Sequence, residues 1–322
     1  MKQRRVLVTG ATGFVGSSVV DNFSRDSSLQ VLAGVRNVKA NFPENVEPFL
    51  LGSLEAGTTL GSLEGIEAIV HCAARVHVMN DQAADPLSEF RKVNVEGTLN
   101  LARRAAAAGV QRFIFISSIK VNGEGTDNRL PYTADEMPSP VDPYGISKLE
   151  AEQSLRALAS ESGMAVTIIR PVLVYGPGVK ANFYSMMKWL QNGLPLPLAN
   201  VHNKRSMVAL ENLVDLIKTC LDHPAAINQI FLVSDDEDLS TPELLRLTAR
   251  ALGGKAFLVP FPVIALTFIA RLFGRPAIAA RLCGTLQVDI SKTRSMLEWT
   301  PPVSVDQALN TTARQYLESR RT

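Results

Sequence analysis

Cysteine is scarce in this chain. Cys72, Cys220 and Cys283 are odd in number and far apart, which excludes a disulfide framework and a cysteine-built metal site. They read as small buried hydrophobes of a reducing compartment, so the expected location is cytoplasmic. An excess of charge of one sign is also lacking. With 33 Lys and Arg against 31 Asp and Glu, the net charge of +2 gives no reason to expect nucleic acid or an acidic membrane as partner. The apolar segment that needs weighing, Ala256 to Ala270, is broken by Pro260 and Pro262 and falls short of the ~20 residues of a membrane-spanning helix. It reads as core, although Arg271 and Arg275 beside it hint at membrane-surface contact. No signal peptide is apparent, since Met1-Lys-Gln-Arg-Arg5 leads straight into an apolar strand. Internal repeats and low-complexity tracts are missing too. What remains is a 322-residue chain, 46% hydrophobic and 20% charged, long enough to bury a large core in two lobes.

The clearest local order comes first. Arg5-Val-Leu-Val-Thr9 predicts a buried strand running into Gly10-Ala-Thr-Gly13-Phe-Val-Gly16, then a helix with Val15, Val19, Val20 and Phe23 on one face. Strand, glycine turn and helix in that order make a dinucleotide-binding start. Gly10 permits the tight turn, Gly13 lets a pyrophosphate approach the backbone, and Gly16 allows close helix–strand packing. Further strands are predicted at 29–35, 46–51, 68–71, 112–117, 166–170 and 229–233. Helices are predicted over 86–108, ended by Gly109, and over 143–160. Alternating strands and helices imply an α/β doubly wound (Rossmann) parallel sheet covered on both faces. After Tyr175-Gly-Pro-Gly178 the pattern turns mostly helical. We expect residues 1–175 with about 203–236 to bind dinucleotide, and about 176–202 with 237–322 to form a smaller, mostly helical substrate lobe. In the latter, Thr241 reads as an N-cap followed by Pro242.

Tyr144-Gly-Ile-Ser-Lys148 carries the chemistry. Positions i and i+4 share a helix face, so both side chains reach one site. A free phenol ionises near pH ~10, and a neighbouring ammonium favours the phenolate, lowering that value toward working pH. The pair is suited to proton transfer at a carbonyl or alcohol.

With these motifs stand His71-Cys-Ala-Ala74, Asn94-Val-x-Gly97-Thr98, Ser117-Ser118, Arg170-Pro171, Val174-Tyr-Gly-Pro-Gly178 and Arg205-Ser-Met-Val208. Over nearly its whole length the chain resembles the extended short-chain dehydrogenase/reductases of the NAD-dependent epimerase/dehydratase family, which act mainly on nucleotide sugars. The resemblance implies that Tyr144 is the general acid/base, that Lys148 holds the nicotinamide ribose, and that Ser118 hydrogen-bonds the same sugar oxygen. It implies cofactor contacts from Gly10, Thr12, Gly13, Phe14, Val15, Gly16, Ser53, Leu54, Cys72, Ala73, Ala74, Asn94, Ser117 and Pro171. Arg205 would hold the nucleotide diphosphate, with Arg281 as a second phosphate candidate, and Asn182, Leu196 and Pro197 would complete the substrate site. No metal is implied. A homodimer would pair helices 86–108 and 143–160 into a four-helix interface.

Departures from the family pattern carry the discrimination. Nucleotide-sugar 4,6-dehydratases place an Asp-Glu pair directly after the serine-or-threonine position, where this chain has Ile119 and Lys120. That disfavours water elimination. NAD-specific members end the second strand on an acidic residue; Val35-Arg36-Asn37 stands here, and Arg36 can clasp a 2′-phosphate, so NADP(H) is favoured with NAD(H) as the alternative. Ser53 stands where an adenine-binding aspartate is usual. The expected activity is a 4-ketoreductase of a UDP-4-keto-6-deoxy-N-acetylhexosamine, in O-antigen or other surface-polysaccharide synthesis. A UDP-glucose or UDP-N-acetylglucosamine C4-epimerase uses the same residues and is the alternative. A non-catalytic NAD(P)-sensing module is the alternative of another class, disfavoured by the intact Tyr/Lys pair. His71 and His77 are weak candidates for cofactor or substrate contact, and Lys120 is an equivocal one.

Overall fold

A computed structural model of the chain describes residues 3–37, 40–52, 54, 61–76 and 85–320. Its elements run β1 (Arg4–Thr9), α1 (Phe14–Ser24), β2 (Leu29–Val35), β3 (Val46–Leu50), β4 (Ala68–His71), α2 (Pro86–Arg91), α3 (Thr98–Ala107), β5 (Arg112–Ile116), α4 (Pro143–Ser162), β6 (Ala165–Pro171) and β7 (Leu173–Tyr175). There follow α5 (Ala181–Gln191), β8 (Met207–Ala209), α6 (Leu210–Asp222), β9 (Ile230–Val233), α7 (Thr241–Ala251), α8 (Val263–Leu272), α9 (Pro276–Cys283), α10 (Ser291–Leu297) and α11 (Val305–Glu318).

Seven strands form one parallel sheet in the order β3-β2-β1-β4-β5-β6-β9. Side chains alternate across each strand, so each contributes to two cores. Val6 and Val8 of β1 join Val19 and Phe23 of α1 and Leu213 and Ile217 of α6 on one face. Leu7 points the other way, to Leu101 and Ala105 of α3 and Ala151 and Leu155 of α4. All of these are buried, as a sheet covered on both faces requires. The chain leaves β1 for β2 and β3, then returns to β4 on the opposite side of β1. That reversal opens a crevice beyond the carboxyl ends of β1 and β4, where such sheets receive ligands.

Two local expectations are corrected, and one pair of strands is additional. The helix expected over 86–108 is two α-helices joined by a π-helical segment, Lys92–Gly97, a winding that concentrates at functional sites. The N-cap of α7 is Ser240 rather than Thr241, because Ser240 and Glu243 form a reciprocal capping box. Finally, β7 and β8 pair in parallel as a separate two-stranded sheet. Three residues each are too few to show a strand period.

From α7 onward the chain is mostly helical, and it shares two apolar clusters with the segment that follows β7. Tyr175, Phe183, Leu239 and Leu309 belong to one; Leu190, Leu196, Val201 and Leu245 belong to the other. No described helix is long and apolar enough to cross a membrane.

Candidate active site

The glycine turn is built around close backbone approach. Gly10 lies at φ 67°, in the left-handed region, and a Cβ there would stand 2.8 Å from the Ala73 nitrogen. The loop after β4 therefore presses directly on the loop after β1. A Cβ on Gly16 would sit 2.2 Å from the Gly10 carbonyl oxygen, so only glycine lets α1 start so near β1. Gly13 caps α1 without any side-chain hydrogen bond. The first N–H groups of α1 are left for an anion, and the local dipole favours one. Thr12 and Gly13 are exposed and Phe14 and Val15 are half-buried, a lining that fits a dinucleotide pyrophosphate.

Behind this cradle, Thr9 and Thr98 fix His71. Its Nδ1 lies 2.7 Å from Thr9 Oγ1 and its Nε2 lies 2.9 Å from Thr98 Oγ1. Burial pushes the imidazole down to about 3, with Lys148 adding to the effect. His71 is a neutral structural tie, and His77 lies outside the described residues. Burial likewise raises the Cys72 thiol to about 12, so Cys72 offers backbone and not a thiolate.

Asn94, in the π-helical segment, is fully buried. Its Oδ1 accepts from the Arg75 N–H at 2.8 Å, and its Nδ2 donates to the Arg75 carbonyl at 3.0 Å and to Ser147 Oγ at 3.0 Å. This amide is thus a clamp joining the loop after β4 to helix α4. Gly97 lets Leu54 come close: a Cβ there would lie 2.6 Å from the Leu54 carbonyl oxygen. Ser53 lies outside the described residues.

Helix α4 begins at Pro143 with Asp142 as N-cap, accepting from the Gly145 N–H at 2.6 Å. Its first turns bring Tyr144 beside Ser118. Burial pushes the phenol up to about 12, a hydrogen bond from the Ser118 side chain pulls it back, and Asp142 adds to the rise. This corrects the expectation that Lys148 lowers the phenol. Lys148 donates to the Ile116 carbonyl at 2.7 Å and sits 4.2 Å above the Phe115 ring, and it is not among the groups that move Tyr144. Lys148 is itself buried, and desolvation brings it down to about 7 against the partial offset of Glu152 and Cys72. Lys120 is engaged by Glu124 and by Asp142 Oδ2 at 3.1 Å.

The lowered Lys148 has a measurable consequence. Between pH 7 and 10.5 the unfolded chain binds a proton here that the folded chain does not, so stability rises with pH across that window. Above about pH 9 the raised Cys72 and Tyr144 act in the opposite sense, since the folded state then holds more protons. The urea midpoint is therefore expected to climb from pH 7 to about 8.5, and Lys148→Met to flatten the climb. An unchanged slope in that variant would assign the effect elsewhere.

One row of α4 continues past the pair, and sequence reasoning missed its third member. Glu152, one turn beyond Lys148, meets Arg170 of β6 in a buried ion pair with Nη2–Oε2 at 2.6 Å and Nε–Oε1 at 3.0 Å. Arg170 also donates to Asn122 Oδ1 at 3.0 Å, and Ser117 Oγ donates to Glu152. The Ser117 hydroxyl is committed to this network. The signal available in the sequence was the spacing 144, 148, 152.

Ser118, Gly10, Ala73 and Pro171 all follow or end central strands at the same edge of the sheet. Arg36 lies just past β2, exposed and without a partner among the described residues. The residues assigned to substrate are more scattered. Arg205 is largely buried, donates to the Gly284 carbonyl at 3.1 Å, and feels Asp127 and Arg281 nearby; burial pulls its pKa below the usual arginine range. Arg281 and Pro197 are exposed, as is Asn182 in the first turn of α5. Leu196 is buried, its backbone bonded to the Phe257 carbonyl and the Val259 N–H at 2.8 Å each. Among the described residues no cluster of His, Cys, Asp and Glu is suited to a metal.

The profile of the NAD dependent epimerase/dehydratase family matches residues 6–234. The chain belongs to that family. Among its relatives is a UDP-glucose 4-epimerase of Vibrio cholerae, 48% identical over 318 residues, covering 98% of this chain and 96% of the relative. Another, from Escherichia coli O157:H7, is an N-acetyl-α-D-glucosaminyl-diphospho-ditrans,octacis-undecaprenol 4-epimerase, 27% identical over 325 residues with 95% and 93% covered. In fold the chain resembles the crystal structure of a UDP-glucuronic acid 4-epimerase from Bacillus cereus in complex with NAD, with a TM-score of 0.78 at 18% identity and 98% and 99% covered. As an epimerase/dehydratase, the chain is an NAD-dependent enzyme of nucleotide sugars, and its glycine cradle fits the cofactor of that family.

Proposed function

We propose that this epimerase/dehydratase inverts C4 of a UDP-hexose or UDP-N-acetylhexosamine. The observation that carries the reading is the Tyr144 phenol, set beside Ser118 at the strand ends near the glycine cradle. The 48% identity to a 4-epimerase supports inversion over net reduction, reversing the order expected from the sequence. Gly10, Gly13, Gly16, Ala73 and Pro171 would hold the dinucleotide, and Arg205 with Arg281 the substrate diphosphate. The nicotinamide supplies a reversible hydride acceptor. Tyr144 takes the proton of the C4 hydroxyl and returns it after the sugar has presented its other face, while Ser118 keeps that oxygen in place. A phenol held high by burial donates readily to a ketone oxygen. Taking a proton from an alcohol needs a positive charge near the phenolate, which Lys148, on the same helix face, would supply once ligand binding turns its ammonium toward the phenol.

Residues 1–175 with about 203–236 would then form the cofactor side, and about 176–202 with 237–322 the substrate side. A homodimer would pair α2–α3 and α4, which already lie side by side and are bridged by Arg91 and Glu150 at 2.8 Å.

Arg36 favours the second reading, a UDP-4-ketohexosamine 4-reductase drawing on NADPH. A charge-assisted bond to a phosphate contributes ~1.5–3 kcal/mol, enough to invert a cofactor preference. The deciding experiment mixes the purified enzyme with UDP-glucose, with UDP-N-acetylglucosamine, and with a UDP-4-keto-6-deoxy sugar plus NADPH. Epimerisation without net cofactor change supports the first reading; stoichiometric NADPH loss overturns it. In that second case Arg36→Ala is expected to weaken NADPH at least tenfold and leave NADH untouched. Equal losses for both cofactors would remove Arg36 from phosphate recognition.

A further inference from the structure

One surface is unlike the rest of the molecule and plays no part in the proposed chemistry. Helix α8 turns Val263 and Leu266 inward, against Leu245 and Ala249 of α7. Its opposite face carries Ile264, Phe268 and Leu272 at spacings of four, and Phe273 follows directly. These four side chains are 84%, 67%, 73% and 74% exposed, and no residue of α8 is fully buried. Ile278 and Leu282 of α9 extend the apolar surface. Single exposed hydrophobics are ordinary, but a contiguous stripe of large ones marks an interaction site.

Charge identifies the partner. Between Glu243 and Asp289 the chain has no acidic residue but six cations, Arg246, Arg250, Lys255, Arg271, Arg275 and Arg281. The whole chain carries only +2, so positive charge is concentrated in this stretch. Arg271 and Arg275 flank the stripe, are exposed, and form no ion pair among the described residues. A protein partner of an apolar helix face does not require such one-sided charge, whereas an anionic lipid surface attracts it while accepting the aromatic and aliphatic side chains.

We propose that the α8–α9 hairpin docks the enzyme on an anionic membrane surface, with Ile264, Phe268, Leu272 and Phe273 among the acyl chains and Arg271 and Arg275 on the headgroup phosphates. The hairpin lies in the plane of the interface and does not span it. Its far end is fastened to the segment bearing Arg205, through Asn203 Nδ2 to the Gly284 carbonyl at 2.9 Å and Arg205 Nη1 to the same oxygen at 3.1 Å. Docking there brings the residues assigned to the diphosphate to the membrane side of the molecule.

Vesicle flotation of the full-length protein tests this without any assay of activity. The protein is expected to float with vesicles of phosphatidylglycerol and phosphatidylethanolamine, to be released by raised salt, and to stay behind with pure phosphatidylcholine. Arg271→Gln/Arg275→Gln should weaken binding about twentyfold. Phe268→Ser/Leu272→Ser/Phe273→Ser should abolish it with an unchanged melting temperature, since these side chains pack against little. Failure of the wild type to float with anionic vesicles overturns the proposal. So does a fall in particle mass of the triple variant by light scattering, which would make the stripe an interface between copies of this chain.

Discussion

Tyr144→Phe is expected to lower turnover by about 10²–10⁴-fold while leaving the unfolding transition in place. The change removes one oxygen and keeps the ring, which packs edge-on against Phe90 with centroids 6.0 Å apart. A single hydroxyl's hydrogen bond contributes only about 1 kcal/mol to stability. The chemical loss is larger, because the phenol is the proton-transfer group the proposed reaction uses. Single-turnover measurements beside circular dichroism would separate the two effects. Retention of more than about half the wild-type rate on the true substrate would remove Tyr144 from the proton transfer.

Removing one member of the Arg170–Glu152 pair should have the largest effect on stability. The two side chains are 1% and 2% exposed, so each charge is compensated chiefly by the other, with Asn122 and Ser117 hydrogen-bonded to the pair and Lys148 near Glu152. Arg170→Met leaves a buried carboxylate unpaired, and Glu152→Leu leaves a buried guanidinium. Breaking such a pair costs about 3–5 kcal/mol, whereas replacing both partners by apolar side chains is often close to neutral. The exposed Arg91–Glu150 pair offers an internal comparison, worth at most about 1 kcal/mol. Urea unfolding of both single variants and the double variant Glu152→Leu/Arg170→Met checks this. If the double variant loses as much as the two single ones together, the pair is not acting as a unit.

The sheet was legible in the sequence because its strands are buried on both sides and rich in β-branched residues. The strands over 29–35 and 68–71 coincide with the expected ranges, and the other strands of the large sheet differ by a residue at one or both ends. The glycine turn and the Tyr144–Lys148 row were legible for a related reason, since local spacing fixes both. The Arg170–Glu152 pair depends on a helix and a strand meeting in space, and residue spacing does not carry that information. The π-helical segment was hidden because 86–108 has a serviceable α-helical period throughout. The phenol was misjudged for another reason: sequence gives the neighbour at i+4 but not the depth of burial, and here burial sets the direction. Arg36 is visible in the sequence, but the partner proposed for it is a ligand, which residue spacing does not carry.

Asn94 holds both sides of the crevice with one amide, the loop after β4 by its backbone and helix α4 through Ser147. Hydride and proton transfer depend on the distance between two reacting parties and not on where either stands in the molecule. A fastener common to the dinucleotide side and the tyrosine side makes their thermal displacements travel together. The crevice can then breathe as substrate enters and leaves while the separation that sets the rate fluctuates less than either wall.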